Sequence, residues 1–162
     1  MNSRTSLIGI FVVALASANA QQLAPNAPKD KPVGAIAATM SDFEKAIASH
    51  LAEAKKTYPE TKKRCISGLP EKHHFYVTTR IKDPDGKFEQ VFVYVTKIDE
   101  EKKSVTGKIS NQLGVVRTFE RGQTISFSED EVFDWMVARP DGTEEGNYIG
   151  NFLDEYQQKK KS

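Results

Sequence analysis

The sequence predicts an α+β domain: an N-terminal amphipathic helix packed on a strongly bent antiparallel sheet or a small, partly open β-barrel. Three observations carry that expectation. Phe43, Ile47, Leu51 and Ala54 recur at i, i+4, i+8 and i+11, the spacing of one apolar stripe on a helix. Further along, short segments alternate apolar and polar residues with the period of two that a half-buried strand requires. Finally, 12 of the 15 aromatic residues fall between Lys72 and Gln158, which puts the main core there.

The elements follow in chain order. Residues 1–20 carry a single charge, Arg4, before an apolar run from Leu7 to Ala16, and close on Ala18-Asn19-Ala20. That is the pattern of a cleavable export signal cut after Ala20. The apolar run is about half of the ~20 residues that span a bilayer, so no membrane span is expected once the signal is removed. Residues 21–39 hold Pro25, Pro28 and Pro32, no aromatic residue and no apolar period, and read as a disordered Ala/Pro linker. The helix and its connection occupy 40–71. Ser41 and Glu44 have capping-box spacing, Lys55 and Lys56 suit the negative end of the helix dipole, and Pro59 is expected to stop propagation.

The β-rich domain is expected over 72–158. Phe75, Val77, Thr79 and Ile81 alternate with Tyr76, Thr78 and Arg80, and Asp83-Pro84-Asp85-Gly86 supplies a turn. A strand from Phe88 to Thr96 completes a hairpin. Both of its faces are apolar, so it is expected to be central, with the helix as its cover. Val105, Gly107 and Ile109 form a third strand ending at Asn111, Thr124 to Phe127 a fourth after Gly122, and Val132 to Val137 a fifth strand or a short edge segment. Residues 115–119 fit either a helical turn or a short strand. The tail from Tyr148 fits a strand or a final helical turn or two, and the basic end at 159–162 is expected to fray.

Composition narrows the function classes. With 23 Lys+Arg against 22 Asp+Glu the chain has a formal charge of +1, and Arg4 is that excess, so the remainder is neutral. A nucleic-acid binder usually shows a net basic excess, so that class is disfavoured. One cysteine excludes an internal disulfide framework and a multi-Cys zinc site. His50, His73 and His74 lack the spacing of a metal site, and no phosphate-loop, dinucleotide or G-x-S-x-G pattern occurs, so neither a metal nor a cofactor is implied. Asp83-x-Asp85-Gly86 is not a calcium loop, because Ile81 and Phe92 stand where oxygen ligands are needed.

Candidate functional residues remain. Cys65, preceded by Lys62, Lys63 and Arg64, is a candidate reactive thiol if those cations lower its pKa. It could also be a small buried hydrophobe. Trp135, the single tryptophan, sits in Phe133-Asp134-Trp135-Met136 and reads either as a core residue or as an exposed anchor for a ligand or peptide. Charge is segregated: residues 129–155 hold nine acids and one base, and 55–64 five bases and one acid. These are solvated surface, or opposed patches that orient a partner or dock the helix on the sheet.

The aromatic strand Phe75-Tyr76-Val77, Glu89 after the first turn, Gly107 with Asn111, Gly122-Gln123-Thr124-Ile125, Asp134-Trp135-Met136 and Asp141-Gly142 together form a pattern. It resembles the YegJ-like family of bacterial proteins, domain of unknown function 2314, over roughly Lys72 to Leu153. A tryptophan of the family's second strand is replaced here within Val91-Phe92-Val93, and its closing Gly-x-Tyr-Thr step is Gly146-Asn147-Tyr148-Ile149. The resemblance implies a compact β-rich fold, in some members behind an export signal, and brings no catalytic residues. The expected function is that of a periplasmic or secreted, non-enzymatic interaction module with a protein or peptide partner. Trp135, Asp134, Asn111 and Tyr148 are its candidate binding residues. Two alternatives stand beside it: a hydrolase using Cys65 with His73 or His74, and a toxin-neutralising or stress partner using the acidic 129–155 stretch.

Overall fold

A computed structural model describes residues 40–161, with the side chains of 40–43, Gln157 and 159–161 left aside. The signal and linker expectations, and the side chains of Ser41 and Phe43, therefore lie outside the described residues. The described chain runs α1 (Met40–Ser67), β1 (His74–Lys82), β2 (Phe88–Asp99), β3 (Ser104–Ile109), β4 (Thr124–Ser128), a 3-10 turn (Glu129–Glu131), β5 (Asp134–Ala138), β6 (Glu144–Gly146) and α2 (Tyr148–Lys161). The strands form one antiparallel sheet in the order β4-β3-β2-β1-β5-β6. It is open: β4 and β6 are its two edges. The α+β expectation holds.

Pro59 does not end the first helix, as it was expected to; α1 runs eight residues past it. The proline is exposed, so the Lys55 carbonyl that loses its helical N–H partner can turn to solvent. On the other face the apolar stripe continues through Tyr58, Thr61 and Cys65, all packed inward. Interior proline costs a helix about 3 kcal/mol, and that continued burial offsets it. The helix ends instead at Gly68, whose φ of 102° takes the chain out of the helical region.

The pleat separates two apolar faces. One carries Val77, Val91, Val93, Val105, Ile109, Trp135 and Val137, with Tyr58 of α1 packed against them. The other carries Tyr76, Met136 and Ala138 with Tyr94. A third cluster, Ile47, Ile149 and Leu153, joins the first half of α1 to α2.

β2 is interior, as expected, but α1 lies chiefly against β5 rather than over it. The far half of the core face is covered by the connection between β3 and β4, through Leu113, Val116 and Phe119. This connection is neither strand nor helix. Carboxylates of the β1–β2 hairpin hold it: Glu89 accepts from the amides of Gly114 (2.9 Å), Val115 (2.9 Å) and Val116 (3.1 Å). Asp83 accepts from Arg117 (2.8 Å) and Thr118 (2.9 Å) and from the Thr118 hydroxyl. Five successive backbone donors are satisfied without any ladder.

The tail is a helix of 14 residues, longer than expected, and it includes the basic 159–161. Its strand alternative fails because Gly146 (φ 82°) and Asn147 (φ 56°) reverse the chain and Asp134 receives the new N-terminus.

Candidate functional site

The site is built where α1 crosses β5. Trp135 faces the helix, and its indole N–H lies 3.1 Å from the Ala54 carbonyl and 3.0 Å from Thr57 Oγ1. Trp135 is 3% exposed. As an exposed anchor it is therefore corrected: its edge meets Tyr148 and its one donor is used inside the protein. Gly146 makes room for it, since a Cβ there would overlap the Trp135 carbonyl and lie 2.7 Å from its ring.

Asp134, the neighbouring candidate, is also buried. Its Oδ1 accepts from the Trp135 amide at 2.8 Å and its Oδ2 from the Ile149 amide at 2.7 Å, so it caps α2. Burial pushes its pKa up to about 6, against the opposing pull of the Ile149, Trp135 and Tyr148 N–H groups and nearby His50. Asn111 is another internal tie: its Oδ1 accepts from the Phe92 amide at 2.8 Å and its Nδ2 donates to the Gln112 carbonyl at 3.0 Å. It extends the β2–β3 ladder one step beyond β3. Tyr148 is half-buried against Trp135. None of Trp135, Asp134 and Asn111 is a free surface group.

Cys65 is half-buried against the core, and burial raises its pKa. The expected activation by neighbouring cations does not occur, because they point elsewhere: Lys62 pairs with Glu129 at 2.7 Å and Arg64 with Glu145. His74 lies on the opposite sheet face, edge-on to Tyr94, and a His73 ring nitrogen lies 3.1 Å from the Glu71 carbonyl. No thiol–imidazole pair forms among the described residues. The same Lys62 and Arg64 contacts decide between the two readings of the segregated charge at these positions: the basic stretch of α1 docks on the acids after β4 and in β6. Among the described residues no cluster of His, Cys, Asp and Glu is placed to hold a metal ion, and no helix is long and apolar enough to cross a membrane.

Beside Trp135 a cleft of about 460 Å³ opens between α1 and the 3-10 turn. One wall is Ala54, Lys55, Tyr58 and Lys62; the other is Glu129, Asp130, Val132, Phe133, Asp134 and Trp135, with Lys103 at the end. The Glu129 amide donates to the Lys103 carbonyl (2.8 Å), which fixes the turn against the β2–β3 connection. Tyr58 is 8% exposed, yet its hydroxyl has no hydrogen-bond partner. Burial, then the charges of Glu129 and Cys65 and a weak interaction of the hydroxyl with the Glu129 carboxylate, raise its pKa; that contact falls short of hydrogen-bond geometry. A buried hydroxyl without a partner costs about 1–3 kcal/mol, so a ligand acceptor placed there gains correspondingly.

Sequence reasoning reached Trp135 and Asp134 on this cleft but missed Tyr58, Lys62, Lys103 and Glu129. The signal was present for three of them: Tyr58 continues the apolar stripe one turn beyond Ala54, and Lys62 and Glu129 are members of the opposed charge runs.

The fold and cleft define a small α+β domain with an open antiparallel sheet and a helix-walled recess. The chain belongs to the family described as "Uncharacterized protein conserved in bacteria (DUF2314)", which matches residues 38–162. The match takes in both helices and is wider than the resemblance over 72–153. Comparison with curated proteins finds no match, and comparison with solved structures finds none.

Proposed function

We propose that this is an exported, non-enzymatic binding module whose ligand seats in the cleft between α1 and the 3-10 turn. The observation that carries this reading is the unpartnered Tyr58 hydroxyl on the wall of a recess that mixes apolar residues (Ala54, Val132, Phe133, Trp135) with charged ones. Recognition sites combine an apolar lining with a few convergent polar groups, and this one offers Tyr58 with Lys55, Lys62 and Lys103 around it. A hydrolase would need an activated nucleophile, and Cys65, with its raised pKa and no imidazole partner, gives that alternative no support. Export rests on the pattern of residues 1–20, and N-terminal sequencing of the protein recovered from the cell envelope or medium tests it by a start at Gln21.

Trp135 lines the cleft and is the only tryptophan, so its fluorescence reports occupancy. Peptides and glycans from the envelope are titrated against the wild type and Tyr58→Phe. The expected result is a ligand that shifts Trp135 emission and binds Tyr58→Phe about tenfold more weakly. A ligand bound equally by both proteins, or none that changes the emission, overturns the assignment.

A further inference from the structure

A second feature lies on the other face of the sheet and meets the cleft only at Phe133, which borders both. Arg80 points to the side of β1 shared by Tyr76 and Thr78, and its guanidinium is clamped between two rings. Its central carbon is 4.6 Å from the Phe88 ring centroid and 5.1 Å from that of Phe133. Both contacts are cation–π, which hold the group without using its N–H donors. Its Nε is buried and has no hydrogen-bond partner, and no carboxylate pairs with Arg80 among the described residues.

Arg80 is half-buried, and a buried guanidinium N–H is ordinarily hydrogen-bonded. Its local acids are engaged elsewhere. Asp83 and Glu89 turn to the opposite face, where they hold the amides of 114–118, and Asp85 pairs with Lys87 at 2.9 Å. Lys82, two residues on and on the same side as Arg80, adds a second positive charge. The hairpin thus has its negative charge on the core side and a rigid cation on the other. Phe88, 36% exposed, leaves an apolar shelf next to that cation.

We propose that Arg80 is the receptor for a carboxylate carried beside an apolar group, as an acidic or C-terminal peptide residue presents it. The guanidinium edge offers parallel N–H donors that match the two in-plane oxygens of a carboxylate, and the ring clamp removes most of the ordering cost. Phe88 receives the apolar neighbour.

The Arg80 Nε–H resonance of the wild-type protein reads this directly by NMR, with phenylacetate, acetate and inorganic phosphate as probes. Phenylacetate is expected to shift that resonance at millimolar concentration, severalfold more tightly than acetate. Arg80→Lys, which keeps the charge but loses the fork, is expected to lower phenylacetate affinity about tenfold, read from the surrounding Phe88 and Gln90 amides. Phe88→Ala is expected to abolish the preference for phenylacetate over acetate. No shift in the wild type, an equal response in Arg80→Lys, or tighter binding of phosphate than of either carboxylate each overturns the assignment. Because the cleft ligand is read through Trp135 and Tyr58, failure here leaves that reading to its own test.

Discussion

The indole N–H of Trp135 donates to the carbonyl of Ala54, 3.1 Å away in space and 81 positions earlier in the chain. This bond, shared with Thr57 Oγ1, ties α1 to β5 and sets the width of the cleft beside it. Trp135→Phe keeps most of the ring volume and removes the donor. It is expected to lower stability by about 1–3 kcal/mol, measured as a drop in the urea midpoint without a change in slope.

Gly146 stands against Trp135 with a φ of 82°. Gly146→Ala introduces both a left-handed alanine and an overlap with backbone that cannot move aside. A loss of about 2–4 kcal/mol is expected in the same denaturation experiment. Gly142→Ala, also at positive φ but with nothing near its added methyl, is expected to cost about 1 kcal/mol, which separates the two contributions.

Glu89 and Asp83 make a direct prediction for hydrogen exchange. In the wild type the amides of 114–118 are expected to be protected although they belong to no helix or strand. Glu89→Ala should deprotect Gly114, Val115 and Val116 selectively, with a stability loss of about 2 kcal/mol. Asp83→Ala should deprotect Arg117 and Thr118.

Stability should respond to pH with two opposite slopes. Asp134 titrates at about 6 when folded, above the usual carboxylate range near 4. Between those values the folded state holds the proton that the unfolded state has lost, so stability falls by about 2 kcal/mol as pH rises from 4 to 6. Asp83 is shifted the other way, chiefly by the Thr118 hydroxyl and the Arg117 and Thr118 amides. Its contribution is present above pH 4 and is lost as pH falls through its lowered value. Asp134→Asn is expected to flatten the urea midpoint between pH 4 and 6, and Asp83→Asn to flatten it below 4.

Burial raises the Cys65 pKa, so alkylation by iodoacetamide at pH 8 should be slower in the folded protein than in urea. Cys65→Ser should leave ligand-induced changes in Trp135 emission intact. Faster alkylation in the folded state would restore the thiol reading.

Local pattern made much of this fold legible. The first strand pair, the turn at 83–86 and the fourth strand follow from alternation and turn chemistry at their own residues. What pattern missed is non-local. Pro59 is a helix stop judged alone, and becomes tolerable only because Tyr58, Thr61 and Cys65 find a core supplied by strands much later in the chain. The 114–118 amides find acceptors about 25 to 35 positions earlier, which no spacing rule signals. Trp135 and Asp134 were singled out for their chemistry and do border the cleft, yet both are used inside it. Its unpartnered polar group, Tyr58, was legible only as one more residue on an apolar stripe.

Helix α1 leaves the ribosome before any strand it rests on. With a proline in its interior and its tether about 80 residues downstream, it has little means of holding its shape alone. The central hairpin can zip from its own turn, but the helix gains its seat only once β5 has joined β1. Synthesis order and assembly order are therefore reversed at this helix: it is made before the whole sheet and is among the last elements secured. A chain cut short before Trp135 would carry a finished hairpin and an unanchored, half-apolar helix, the kind of exposed surface that chaperones and proteases act on.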